Sequence, residues 1–293
     1  MEPLSPFRYP GGKQILSGYL ESLLKENLLL GSPFYESHAG GASISLYLLS
    51  NGFVSKATLI EYDPLVYSFW KSVKDDSQEL CRRIKSLDLS VKTWEKMRKY
   101  LDRDAVKKHS TISLGLAGLF FNRTNFSGIL HAGPIGGIEQ KSKYKIDCRF
   151  NKDRIIGLIK TIAGYSNKLS IVHDDAVHYL KKNSKKITKE GGVVYVDPPY
   201  YVQGERLYRH HYKSQQHLEL AQFLLAQKFS WIVSYDNHPD ISKMFKGQRI
   251  IPISFNYTVK ESRKVDELLI ANIPLLKPIY SFGAESRKQK KAA

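Results

Sequence analysis

Cysteine is scarce in this chain: two in 293 residues, Cys81 and Cys148, far apart and with no histidine cluster beside either. That excludes a disulfide framework and a four-ligand zinc site, so no metal is expected. Long apolar runs are missing too, and no stretch approaches the roughly 18 apolar residues of a membrane helix. Glu2, Pro3 and Pro6 stand where a secretion signal needs basic and then apolar residues. The expectation is a soluble, cytoplasmic protein with no membrane partner. Acids are the third scarcity: 28 Asp and Glu face 45 Lys and Arg, a formal net charge of +17. Such a balance suits a polyanionic partner, because each phosphate neutralised releases counterions. It equally suits a basic protein that carries lysines for solubility, and charge does not separate the two.

The length supports one large α/β domain with a smaller part inserted or appended. Short apolar or β-branched runs recur at 34–36, 57–61, 169–172, 193–196 and 231–233, with helical patterns such as 43–49 and 218–226 between them. This alternation predicts a doubly wound, mostly parallel sheet, in which ligands bind beyond the carboxyl ends of the strands. The stretch 75–167 breaks the pattern: Trp94, Met97, Tyr100 and Leu101 fall at helical spacing, and a glycine-rich segment follows at 128–137. It is too long for a crossover and reads as an inserted helical subdomain. A lysine cluster, Lys181, Lys182, Lys185 and Lys186, reads as a solvated turn, and the basic tail 281–293 as disordered. No internal repeat is visible.

The strongest chemical signal is Asp197-Pro198-Pro199-Tyr200 directly after the apolar run 193–196. A buried strand delivers a carboxylate, a rigid turn and an aromatic ring to the rim of the sheet. Pro199 has no N–H and both prolines fix the backbone, so the Pro198 carbonyl stays available as an acceptor. Asp197 and that carbonyl suit the two hydrogens of a planar exocyclic NH2, and Tyr200 suits its ring. Drawing on both hydrogens turns the nitrogen towards a tetrahedral shape and makes it nucleophilic. Alone, the string also fits an ordinary strand end with a Pro-Pro turn. A second signal is the small-residue turn Glu36-Ser37-His38-Ala39-Gly40-Gly41-Ala42, which lets a ligand approach the backbone; about twenty residues on, Glu61 ends the next strand, where such folds hold ribose hydroxyls. The segment 121–128 is rich in amides and hydroxyls and carries one guanidinium; Asn122, Arg123, Asn125 and Ser127 could read base edges, or the asparagines could cap a helix end.

In order along the chain, Arg8 to Lys13, Glu36 to Ala42, Glu61-Tyr62-Asp63-Pro64, Asn122-Arg123 with Phe126-Ser127-Gly128, Asp175, Asp197 to Tyr200, Ser234-Tyr235-Asp236 and Glu267 to Ile270 resemble the Dam-like (D12 class) adenine-specific DNA methyltransferases. The resemblance implies a Rossmann-like α/β methyltransferase sheet, with 1–74 and 168–280 as the catalytic domain and 75–167 as the target-recognition insertion. It implies S-adenosylmethionine as cofactor: Tyr9, Gly12 and Lys13 would line its pocket, Glu36, Gly40 and Gly41 would border its methionine moiety, Glu61 would hold the ribose, and Asp175 (or the adjacent Asp174) the adenine amine. Asp197, Pro198, Pro199 and Tyr200 would act on a flipped adenine of double-stranded DNA, and 122–128 would face that DNA. The chain departs from the family at Ser37-His38, usually Pro-Phe, and at Ala42, usually glycine; His38 reads as a packing substitute. The expected activity is methyl transfer to adenine N6 by a monomer, with a separately encoded restriction endonuclease as a possible companion. RNA adenine or DNA cytosine N4 as acceptor, or a DNA-binding relative without turnover, stand as alternatives.

Overall fold

The structure is a computed structural model that describes residues 4–8, 13–102, 104–207, 209–259 and 261–276. Seven strands make one sheet: β1 (Phe34–Ser37), β2 (Ala57–Glu61), β3 (Leu169–His173), β4 (Val193–Val196), β5 (Ser230–Asp236), β6 (Arg249–Val259) and β7 (Glu261–Ala271). Their order is β3-β2-β1-β4-β5-β7-β6. The first five pair in parallel, and β7 enters antiparallel between β5 and β6. From β1 the chain winds outward to β3, then returns to β4 on the other side, so a crevice opens between β1 and β4 where the winding reverses.

The helices are α1 (Ser17–Glu26), α2 (Ser43–Ser50), α3 (Pro64–Asp75), α4 (Ser77–Ser86), α5 (Val91–Met97), α6 (Ala105–Lys108), α7 (Thr111–Thr124), α8 (Lys152–Ala163), α9 (Ala176–Lys189), α10 (Gly204–Leu207), α11 (Ser214–Leu225) and α12 (Pro239–Met244). They cover both sheet faces, which is why β1 and β4 are buried at every residue and β4 is an apolar run without alternation. On one face Leu180 and Ile187 of α9 and Leu220 and Leu224 of α11 pack with Val194, Val196 and Val233. On the other, α1, α2, α3 and α7 contribute Leu20, Ile44, Phe69 and Leu119 to a larger core.

The stretch 75–167 carries helices α4 to α8, as its spacing predicts, with turns over 129–151, but it does not pack apart from the sheet. Phe120, Phe121 and Ile155 belong to the same core as the strand residues Leu59 and Val193. Helix α7 lies directly on α3: a Cβ at Gly115 would stand 2.6 Å from Ser68 O, and one at Gly118 2.7 Å from Leu65 O. The two backbones approach too closely for any side chain, so α7 packs with α3 in the layer that covers this face of the sheet. Two readings are corrected. Lys181, Lys182, Lys185 and Lys186 lie on α9, not in a turn. The long β6–β7 hairpin is an addition that the strand pattern did not reveal; Pro252 is tolerated in β6 because β6 is the sheet edge. The tail 281–293 lies outside the described residues. Among the described residues no helix is long and apolar enough to cross a membrane.

Candidate active site

A cavity of about 520 Å³ opens at the carboxyl ends of β1, β2 and β4, within the size range of small-molecule sites. Its floor is the turn after β1. His38 (φ +57), Gly40 (φ +46) and Ala42 (φ +49) all adopt left-handed backbone, unusual for the two residues that carry a Cβ. Several bonds hold the turn in place. Ala39 N donates to Ile60 O (3.2 Å), Trp70 Nε1 donates to Gly40 O (2.8 Å), and Gly40 N donates to Glu61 Oε2 (2.8 Å). Glu36 secures the other end, its Oε2 accepting from Ser45 N (2.9 Å) in the first turn of α2.

Glu36, Gly40, Gly41, Glu61, Asp63 and Asp175 all border the cavity. Glu61 Oε1 also accepts from Asp63 N (2.8 Å), so two of its roughly four lone-pair directions are already used within the protein. Burial, aided by the charge of Asp63, raises Glu61 to about 7; burial also lifts Glu36 to about 7. Asp63 caps α3, its Oδ1 accepting from Leu65 N (2.8 Å) and Val66 N (3.4 Å). Of the adjacent acids after β3, Asp174 is taken up by His178 Nδ1 (2.8 Å) and Asp175 N (2.8 Å), while Asp175 Oδ1 caps α9 through His178 N (2.9 Å). The roof of the cavity is residues 209–213. Arg209 Nη1 stands 3.5 Å from Asp63 Oδ2, and Arg209 Nη2 donates to Leu101 O (3.0 Å). Tyr212 Oη and His38 Nε2 are 2.9 Å apart, and burial lowers His38 to about 4, which keeps the ring neutral. Neither His38 nor Tyr212 was expected to tie the roof to the floor; only the departure at His38 marked the place.

Asp197 stands at the end of β4 beside this cavity. Its Oδ1 accepts from Ser234 Oγ (2.7 Å), which lies 2.7 Å from the Tyr195 hydroxyl. Ser234 reaches it because β4 and β5 run in register, Val196 opposite Val233. Lys13 Nζ lies 3.1 Å from the same Asp197 oxygen and 3.5 Å from the Tyr200 hydroxyl. Burial works against the ammonium, but the carboxylates of Asp197 and Glu267 outweigh it and push Lys13 well above its ordinary range. Pro199 borders the cavity with Asp197. Tyr9 and Gly12, named in the sequence as cofactor residues, lie outside the described residues. A carboxylate with fixed donors, a rigid Pro-Pro step and an aromatic ring, set against an acid-lined cavity with a glycine turn, can hold a cofactor bearing hydroxyls, an amine and positive charge, and present an exocyclic amine to it.

The segment 122–128 behaves differently from its sequence reading. Asn122 is 0 % exposed: its Oδ1 accepts from Arg8 N (2.7 Å) and its Nδ2 donates to Arg8 O (3.2 Å) and Gly128 O (3.0 Å). Asn125, equally buried, accepts from Trp94 Nε1 (2.6 Å) and donates to Ile129 O (3.1 Å) and Leu130 O (2.9 Å). Arg123 Nε donates to Pro6 O. Both amides are spent within the protein, on backbone groups and on the Trp94 indole, and Arg123 Nε on the Pro6 carbonyl. Ser127 (φ +56) is exposed, and beside it Phe126, named in the sequence motif but given no role of its own, is 69 % exposed. Asn122→Ala is accordingly expected to lower stability by at least about 2 kcal/mol, since three backbone groups lose a buried partner. Denaturant unfolding measures this, and a change below half a kcal/mol would return Asn122 to the surface.

No curated protein matches the chain. Among solved structures, PH1948 from Pyrococcus horikoshii, provisionally described as an RNA methyltransferase, aligns with TM-score 0.38 and 9 % identity over 90 % of this chain and 83 % of its own. SMU.776, provisionally described as a methyltransferase and complexed with SAH, aligns with TM-score 0.36 and 11 % identity over 87 % of this chain and 49 % of its own. The profile of the D12 class N6 adenine-specific DNA methyltransferases matches residues 9–259, from the opening segment before Lys13 to the end of β6. The sheet with its inserted antiparallel strand, the acid-lined glycine turn and Asp197 at the rim thus come together in one family, and the chain belongs to the D12 class of N6 adenine-specific DNA methyltransferases.

Proposed function

We propose that the protein transfers a methyl group from S-adenosylmethionine to N6 of an adenine flipped out of duplex DNA. The observation that carries this reading is Asp197: a carboxylate fixed by Ser234 and Lys13 at the rim of the cavity that Glu36 and Glu61 line. The cavity residues fit the cofactor by their chemistry. Glu61 keeps acceptor capacity for ribose hydroxyls, Asp175 for the adenine amine, and Glu36 with the Gly40-Gly41 backbone borders the methionine end. When bound, S-adenosylmethionine supplies an electrophilic methyl group on a sulfonium centre. Asp197 accepts one hydrogen of the target amine and the Pro198 carbonyl the other, which leaves the nitrogen lone pair free to attack. Tyr200 offers its ring to the base and replaces part of the stacking lost on flipping. Positioning and hydrogen bonding supply most of the catalysis.

Towards DNA, the reading moves off the buried amides. Arg8, Arg123, Arg149 and Arg154 lie close enough to influence one another, and burial with Arg8 and Arg154 lowers Arg123 to about 10. Repulsion of this kind is relieved by a polyanion, and phosphodiesters supply one. Phe126 and Ser127, exposed on the turn that follows α7, are the side chains of the segment placed to meet DNA. The test is transfer of labelled methyl to duplex DNA, single-stranded DNA and RNA, followed by nucleoside analysis. Label in N6-methyladenine of duplex DNA is the expected result. Label in N4-methylcytosine or in RNA replaces the acceptor, and strong duplex binding without any label favours a relative that has lost turnover.

A further inference from the structure

Glu267 heads the last sequence motif, Glu267 to Ile270, and has no part in the mechanism above. It sits on β7 opposite Asp236 of β5 and Ile253 of β6, and it is 0 % exposed. A carboxylate there has lost its water entirely and is tolerable only with partners. Both of its partners belong to the reacting cluster. Oε1 accepts from the Tyr200 hydroxyl (2.9 Å), and Oε2 lies 3.3 Å from Lys13 Nζ, nearly the 3.1 Å that separates that ammonium from Asp197. The ammonium also lies 5.0 Å from the centre of the Tyr200 ring. One carboxylate therefore touches both flanks of Asp197.

We propose that Glu267 is a positioning residue for methyl transfer: it shares the Lys13 ammonium with Asp197 and ties down the Tyr200 hydroxyl. The inference rests on the methyltransferase reading of this site. An ammonium held by Asp197 alone competes for the oxygen that must accept a hydrogen from the target amine. Drawn equally by two carboxylates, it is held less tightly by either, and Asp197 keeps acceptor capacity. The bond to Tyr200 fixes the ring, so that the base meets one face in one orientation. With Glu267 ionised, Lys13, Asp197 and Glu267 together carry one net negative charge, which favours an amine that becomes positive as it attacks.

Glu267→Gln tests this with little change of shape: the amide oxygen still accepts from Tyr200, while the amide nitrogen replaces Oε2, so the charge and the acceptor facing Lys13 are lost. Single-turnover transfer at saturating cofactor and duplex is expected to fall roughly tenfold, while the cofactor dissociation constant stays within twofold. A second readout needs no activity. In lysine-labelled protein, with Lys13→Met identifying the signal, NMR follows deprotonation of Lys13, which faces Asp197, Glu267, Tyr200 and Tyr195. Its titration is expected to move to lower pH in Glu267→Gln. An unchanged titration overturns the inference whatever the activity, as does a full transfer rate. A loss of rate accompanied by an equal loss of cofactor binding assigns Glu267 a merely structural role and overturns it too. A wild type that transfers no methyl, with the titration still shifted, overturns the methyltransferase reading while the Lys13–Glu267 coupling stands.

Discussion

Replacing Asp197 by alanine is expected to lower single-turnover methyl transfer a thousandfold or more, while cofactor and duplex DNA still bind. A loss of about a thousandfold corresponds to roughly 4 kcal/mol of transition-state stabilisation. That is a reasonable share for a charged acceptor whose bond to the amine strengthens as the nitrogen becomes positive. The fold should survive, because Lys13 keeps Glu267 at 3.3 Å and the Asp197 side chain is already a quarter exposed (25 %). DNA binding should hold or tighten slightly, since one carboxylate no longer repels the phosphates. Transfer and binding are to be measured in parallel on one target duplex. Near-normal transfer by the variant sinks the role given to Asp197.

The second large effect is expected at Glu61. Removing its carboxylate takes two hydrogen bonds from the ribose, each worth about 1.5 to 3 kcal/mol with a charged acceptor, so cofactor affinity should fall by at least about a hundredfold. The structure adds a cost that the sequence did not disclose. Gly40 N and Asp63 N both donate to Glu61, and in Glu61→Ala both amides lose their partner. The variant should therefore also unfold at lower denaturant concentration, and calorimetric titration must be run where it is still folded. Undiminished affinity there would remove Glu61 from the ribose. A pH dependence follows from the same burial. Glu36 and Glu61, both raised to about 7, favour the folded protein most when protonated, below their unfolded value; that contribution is lost as pH rises through about 7. Cofactor binding runs the other way, because ribose donors and a cationic ligand prefer carboxylates. Affinity of the wild type should rise between pH 6 and pH 8, and more weakly in Glu61→Ala.

The parallel half of the sheet was legible because its strands are short apolar runs that end in acids, and the register of β1, β2 and β4 brings those ends to one rim. That same feature made Glu36, Glu61 and Asp197 readable as neighbours although they are far apart in the chain. Two features were not legible. Strands β6 and β7 mix polar and apolar residues, as a hairpin at a sheet edge does, and Pro252 argues against a central strand. Their absence from the reading hid what Glu267 touches. The amides of Asn122 and Asn125 carry the same donors and acceptors whether they face a base or a backbone. Spacing alone says nothing of the choice, which was decided by the depth to which α7 is buried on α3.

The position of β7 bears on how the protein comes off the ribosome. Among the described residues β7 is the last strand of the sheet to be synthesised, yet it occupies an interior place between β5 and an edge strand made before it. Lys13 finds Glu267 only after that insertion. Contacts of such separation form late and slowly. A chain made only as far as the glycine turn and Asp197 therefore lacks the completed cluster, which the arrival of β7 supplies.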